Sequence, residues 1–320
     1  MAHVTFIHGI SNKPPEENLR RIWLRALARE NGIDLETDGV TSSMVYWADV
    51  LYEKPLDEEA LESAGGLENV EAVAAQDTMD IDMSWRERIT GEERAMVDAL
   101  ALKLSFDVLV DDDYAPPESE MDKKLERIPL PWWIKRRLMK AHLRDVHHYL
   151  FDVKFSPRVG TTYKVREEIR RRALAKLEEG ATKEGPHIIV SHSMGTVIAY
   201  DCLMRVEGCP TIDGLMTVGS PLGVDEVQDK LKPEGGEQPG WSREDGFPSN
   251  RLKGDWINIY DSLDPVTGFD GNIANDYKKG GQEVVEVINE QNWGKWRHSI
   301  TKYLVGPKLR DGLKRLMVES

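Results

Sequence analysis

The sequence predicts an α/β fold: a mostly parallel sheet of about six strands flanked by helices, carrying a large and mostly helical cap insertion. Three observations predict it. Short apolar runs recur along the 320 residues and end in Gly, Ser or Asp. Helix-like stretches separate these runs without hairpin signals, the pattern of a parallel sheet covered on both faces. One interval between successive runs, residues 50–160, is too long for a simple crossover.

Val4-Thr5-Phe6-Ile7 is the first apolar run and stops at His8-Gly9. Residues 16–30 then place Leu19, Trp23, Ala26 and Leu27 on one helical face. The second strand reads as Ser43-Met44-Val45-Tyr46-Trp47, ending before Asp49. His187-Ile188-Ile189-Val190 is entered through Gly185-Pro186 and leads straight into a helix. Strands over residues 214–218, 256–260 and 284–288 complete the set. Right-handed crossovers put all their C-termini on one rim. The core therefore spans residues 1–49 and 161–320, and residues 50–160 read as an inserted helical cap. Acids dominate residues 49–122 and bases dominate 123–144, with Asp111-Asp112-Asp113 beside Pro116-Pro117 reading as a solvated loop. A second Gly- and Pro-rich stretch, residues 233–250, reads as a loop over the rim.

With 40% apolar residues the chain can build a sizeable core. Its 42 Lys and Arg against 56 Asp and Glu leave a net charge of −14, which argues against a nucleic-acid binder. Cys202 and Cys209 supply neither a disulfide framework nor a four-ligand zinc site. The N-terminus shows no signal-peptide pattern, and no run approaches the roughly 20 apolar residues that span a bilayer. A cytoplasmic location is the expectation.

Chemistry concentrates in Ile188-Ile189-Val190-Ser191-His192-Ser193-Met194-Gly195-Thr196. A strand, a tight turn with small residues on both sides of a serine, and a helix form a nucleophile elbow, which holds the Ser193 hydroxyl clear of the backbone. Gly195 lets the helix pass close to the strand, while Ser191 stands where the pattern usually has glycine. The amide of Met194, at the helix start, faces developing negative charge. A serine hydroxyl needs a base, and the base an orienting acid, in the chain order Ser, Asp or Glu, His. Among eight histidines only His298 follows the last strand. Two aspartates follow the fifth strand. Asp261 sits at its terminus and can cap the turn; Asp264, held extended by Pro265, can reach an imidazole above the rim and is favoured, with Asp270 a distant third. The loop after the first strand supplies the second oxyanion donor, the amide of Ile10. His8 reads as a structural histidine bonded to neighbouring carbonyls.

These residues (His8-Gly9-Ile10, Ser191 to Gly195, Gly219-Ser220-Pro221-Leu222, Asp264-Pro265-Val266 and His298) resemble the α/β-hydrolase family, specifically its lipase- and esterase-like serine hydrolases. The resemblance covers residues 1–50 and 160–310 and lacks the family's leading antiparallel hairpin. It implies a triad of Ser193, Asp264 and His298, no cofactor and no metal, and cleavage of small-molecule or lipid carboxylic esters through an acyl-serine. An acyltransferase or thioesterase with the same triad, or a non-catalytic binding protein on this fold, are the alternatives.

Two cap features remain. His142, Asp145, His147 and His148 lack the spacing of known zinc helices and read as part of a mixed helix. Trp132 and Trp133 open an amphipathic cationic stretch with Lys135, Arg136, Arg137 and Lys140. It fits either a lid in transient contact with a membrane surface or, the favoured reading, a helix packed on the core.

Overall fold

A computed structural model describes residues 1–56, 82–103, 132–231, 246–267, 270–292 and 297–318. Six strands form one sheet: β1 (His3–Ile7), β2 (Thr41–Val45), β3 (His187–His192), β4 (Gly214–Val218), β5 (Trp256–Tyr260) and β6 (Glu286–Asn289). Their spatial order is β6-β5-β4-β3-β1-β2, and every neighbouring pair is parallel. The chain thus builds outward from β1 to β2, returns to β3 on the other side of β1, and continues outward to β6. The direction reverses between β1 and β3. In open parallel sheets such a switch point opens a crevice at the strand C-termini.

Both faces of the sheet are buried, and successive strand residues alternate between them. Ile188 and Val190 join Phe6, Met44, Met216 and Ile257 in one apolar cluster, whereas Ile189 joins Ile7, Val45, Leu215 and Trp256 in the other. The first cluster is covered by α1 (Glu16–Ala28) through Leu19, Ile22, Trp23, Ala26 and Leu27, and by Tyr303 and Leu313. Those two belong to the C-terminal helices α7 (Ile300–Val305) and α8 (Pro307–Val318). The second is covered by α2 (Gly91–Lys103), α3 (Trp132–Leu150), α4 (Val165–Ala181), α5 (Met194–Arg205) and α6 (Asp225–Lys230). Trp85, Val97, Leu100, Leu143, Val146 and Tyr149 lie in this same cluster beside Ile189 and Leu215, so the described helices of residues 50–160 share the core of the sheet. Residues 111–113, most of 233–250, and the side chains of Trp132 and Trp133 lie outside the described residues.

Two strand readings shift, β2 by two residues at both ends and β6 by two at its start. β2 runs from Thr41 to Val45, because its ladder ends opposite Ile7, where β1 ends. Trp47 lies beyond it, giving its backbone N–H to His8 Nε2 and its indole N–H to the His8 carbonyl. β6 pairs from Glu286 opposite Ile257, and Val284 stands outside the ladder. Hydrophobicity marked both regions, but ladder partners set the ends. Among the described residues no helix is long and apolar enough to cross a membrane.

Candidate active site

Ser193 is the single residue between β3 and α5, with φ 54° and ψ −128°. That conformation is sparsely populated for a residue with a side chain, at a cost on the order of 1–3 kcal/mol. Its surroundings hold it there. Ser193 N–H donates to the Val218 carbonyl at 2.9 Å, and its own carbonyl accepts from Thr196 N–H at 2.9 Å and Thr196 Oγ1 at 2.7 Å. Two glycines make room. A Cβ on Gly195 would lie 2.4 Å from the Ile7 carbonyl oxygen, so only glycine lets α5 pack this close to the end of β1. A Cβ on Gly9 would lie 2.7 Å from Ser193 Cβ, which sets the loop after β1 directly against the serine. Ser193 Oγ is buried and has no hydrogen-bond partner among the described residues.

Asp264 follows β5 in a turn closed by its N–H to the Asp261 carbonyl at 2.9 Å. Its Oδ1 accepts from Val266 N–H at 2.8 Å, and its Oδ2 lies 2.8 Å from His298 Nδ1. A carboxylate there requires the proton on Nδ1, leaving the lone pair on Nε2. The His298 carbonyl accepts from His192 Nε2 at 2.9 Å, and the two rings lie 4.6 Å apart. His192 adjoins Ser193, so the base is tied to the elbow through its neighbour. No hydrogen bond joins Ser193 Oγ to His298, a contact that often forms only when substrate is bound. Asp261 has a different place. Its Oδ1 accepts from Leu263 N–H, and its Oδ2 from Asn292 N–H and Arg297 Nη1. It braces the loops after β5 and β6 and does not meet His298.

The peptides around Ile10 are fixed on both sides. His8 Nε2 accepts from Trp47, so Nδ1 carries the proton and donates to the Gly9 carbonyl at 2.7 Å. That carbonyl shares a trans peptide with Ile10 N–H, which must therefore point the opposite way. On the far side the Ile10 carbonyl accepts from Lys13 Nζ, and Ser11 N–H donates to Asp145 Oδ2 at 2.9 Å. Met194 N–H is the first amide of α5 and lies among those with no partner inside a helix. Burial, with a smaller push from Lys13, brings the His8 pKa down to about 3, and burial holds His192 well below the usual histidine range. Both are neutral spacers around the site.

The structure thus brings Asp264 against His298, and His298 against His192, the neighbour of Ser193, at the switch point of the sheet; Met194 follows the serine in the chain, and Gly9, the neighbour of Ile10, lies directly against it. The sequence reading gave four neighbouring residues no place around the site. Tyr303 donates its hydroxyl to Asp264 Oδ2 at 2.8 Å and accepts from Asp261 N–H at 2.9 Å, linking both aspartates to α7. His192 holds the His298 backbone through its Nε2. His142 and Asp145 reach the site from α3, and their spacing of three residues on one helix is the signal that could have marked them. His147 and His148 instead contact each other at 3.1 Å and pack against Trp85. Among the described residues no group of three His, Cys, Asp or Glu is placed to hold a metal ion. No family model and no curated protein matches this chain.

Proposed function

We propose that this protein is a serine hydrolase of the α/β-hydrolase type that cleaves carboxylic esters. The observation that carries the reading is Ser193, strained between β3 and α5 at the switch point and linked through His192 to the His298–Asp264 pair. His298 Nε2 takes the Ser193 proton as Oγ attacks the ester carbonyl. The amides of Ile10 and Met194 receive the oxyanion, an effect worth about 3–4 kcal/mol per donor. The C–O bond to the alcohol breaks, and His298 gives that alcohol the proton. Water, deprotonated by His298, then attacks the acyl-serine, and the acid leaves as Ser193 regains its proton. Asp264 stays ionised and holds the imidazolium throughout.

Labelling with a fluorophosphonate probe tests this directly. The expected result is a single adduct on the peptide containing Ser193, together with hydrolysis of p-nitrophenyl butyrate, both lost in Ser193→Ala. A folded wild-type protein that neither labels nor turns over would sink the reading.

A further inference from the structure

α3 brings a second imidazole to this site. His142 is only 3% exposed, and its Nε2 has no hydrogen-bond partner among the described residues. Asp145, nearly one turn further on the same face, accepts Ser11 N–H at 2.9 Å and the Tyr52 hydroxyl at 3.1 Å on Oδ2, and Arg144 on Oδ1. This face of α3 is therefore anchored on the loop that carries Ile10. Ser11 itself has φ 73°, and its Oγ is also buried without a partner among the described residues. His142 lies within electrostatic reach of both His298 and Asp264. Burial first, and then the nearby His298, bring its pKa down to about 3, against an opposing pull from Asp264. At neutral pH it is an uncharged ring with one N–H and one lone pair.

Buried polar atoms are almost always satisfied, and an exception calls for a reason. Among the other histidines His3 bonds Thr41 and Ser43, His8 bonds Gly9 and Trp47, and His147 Nε2 faces Glu93 at 3.4 Å, whereas His187 Nδ1, at the opposite rim, shares with His142 Nε2 the lack of a partner among the described residues. The proposed reaction has no use for His142, because Asp264 already orients His298. An orphaned imidazole three residues from the Asp145 anchor, and an orphaned hydroxyl on the anchored Ser11, instead match a ligand that brings its own hydrogen-bonding group.

Resting on the hydrolase reading, we infer that His142 Nε2, with Ser11 Oγ, binds a hydroxyl or carbonyl substituent next to the scissile ester, so that the enzyme selects oxygenated esters over plain hydrocarbon ones. A site built to pair with a substrate hydroxyl discriminates strongly against the analogue that lacks it, since its own polar groups are then left bare.

Two matched pairs test the inference: p-nitrophenyl 3-hydroxybutyrate against p-nitrophenyl butyrate, and 2-hydroxyethyl butyrate against ethyl butyrate. Wild type should favour the hydroxylated member of one pair at least tenfold in kcat/KM. His142→Phe should lower that member tenfold or more while leaving its plain partner within threefold, and His142→Gln, which keeps an amide, should restore part of the preference. A thermal melt of each variant identifies loss of folding, and the wild-type preference stands independently of it. Absence of preference in both pairs, or equal losses on both members in folded His142→Phe, overturns the assignment. Fluorophosphonate labelling of Ser193 separates the two failures. A labelled serine with no preference removes only the role of His142; a protein that neither labels nor turns over removes the hydrolase reading and this inference together.

Discussion

Both rims of the sheet hold buried histidines, and they are used in opposite ways. At the N-terminal rim His3 bonds Thr41 through Nδ1 and Ser43 through Nε2, while His187 Nε2 meets Thr5 Oγ1 at 2.8 Å. Thr5 and Ser43 bond each other, which closes the network apart from His187 Nδ1. The residues of that network sit in ordinary strand geometry. At the C-terminal rim Ser193 and Ser11 hold positive φ, and Ser193 Oγ, Ser11 Oγ and His142 Nε2 are buried without partners among the described residues. One rim spends its polar atoms on itself; the other keeps them available. Strain and unsatisfied donors gathered at one end of a parallel sheet are the physical mark of a site, whereas buried histidine alone is not.

Ser193→Ala is the sharpest way to press this contrast. Ester turnover should fall by about 10⁵–10⁶-fold, the loss seen when an equivalent nucleophile is removed. Stability should hold or rise slightly, because the change deletes a buried hydroxyl that bonds nothing among the described residues. Activity assays beside urea unfolding would read both. A large loss of stability with activity retained would make the open rim structural after all.

The two aspartates offer the next largest difference. Asp264→Asn should cut kcat by about 10⁴-fold, since an amide facing Nδ1 favours the wrong imidazole tautomer. Asp261→Asn should leave kcat within about tenfold. It should lower stability instead, by about 3 kcal/mol, because Arg297 loses the buried carboxylate it pairs with. If kinetics and unfolding curves gave the reverse ranking, the orienting acid would be Asp261.

What the sequence reveals of this site follows from how local each constraint is. Ser193 is legible because its turn is short-range: an apolar strand, small residues at 191 and 195, and a helix must be contiguous for the geometry to exist. Asp264 and His298 are legible because a parallel sheet delivers its loops in chain order. The ends of β2 and β6 are not, since a buried strand stops where its neighbour stops, and Tyr46 and Trp47 look as apolar as the ladder before them. The roles of Tyr303 and Asp145 are illegible for a stronger reason. Each acts across a contact between distant segments: Asp145 meets Ser11 across 134 positions, and Tyr303 meets Asp264 across 39. No periodicity encodes that a tyrosine on a short helix turns its hydroxyl toward a carboxylate.

Tyr303→Phe sharpens the contrast at intermediate size. It removes a hydrogen bond to Asp264 Oδ2 and the acceptor for Asp261 N–H while leaving the ring in its pocket. Hydrogen bonds to charged groups are worth about 1.5–3 kcal/mol, and only the fraction that changes between ground and transition state reaches kcat. The expected result is a kcat lower by about tenfold with KM little changed. A stability loss with kcat unchanged would confine Tyr303 to packing.

The smallest effect on turnover belongs to the closed rim. His187→Gln should leave kcat/KM within twofold, because the N-terminal ends of the strands lie a full strand length from Ser193. Its signature should be in acid stability. Burial, with His3 nearby, lowers the His187 pKa to about 4, against a free value of 6.5. Between those values the unfolded chain binds a proton that the folded chain refuses. Stability from this group is therefore complete above pH 6.5 and is lost as pH falls from 6.5 toward 4, at up to about 1.4 kcal/mol per pH unit. Glutamine does not titrate, so the variant should be weaker than wild type by about 1 kcal/mol at pH 7.5, where it loses the imidazole bond to Thr5, yet should fall less steeply on acidification. His8, His142 and His148, also held near 3 mainly by burial, keep their own slopes in both proteins, so the difference between the two urea-unfolding series isolates His187. A tenfold loss of turnover in this variant would break the comparison, because it would mean that the closed rim communicates with the reacting serine along β3.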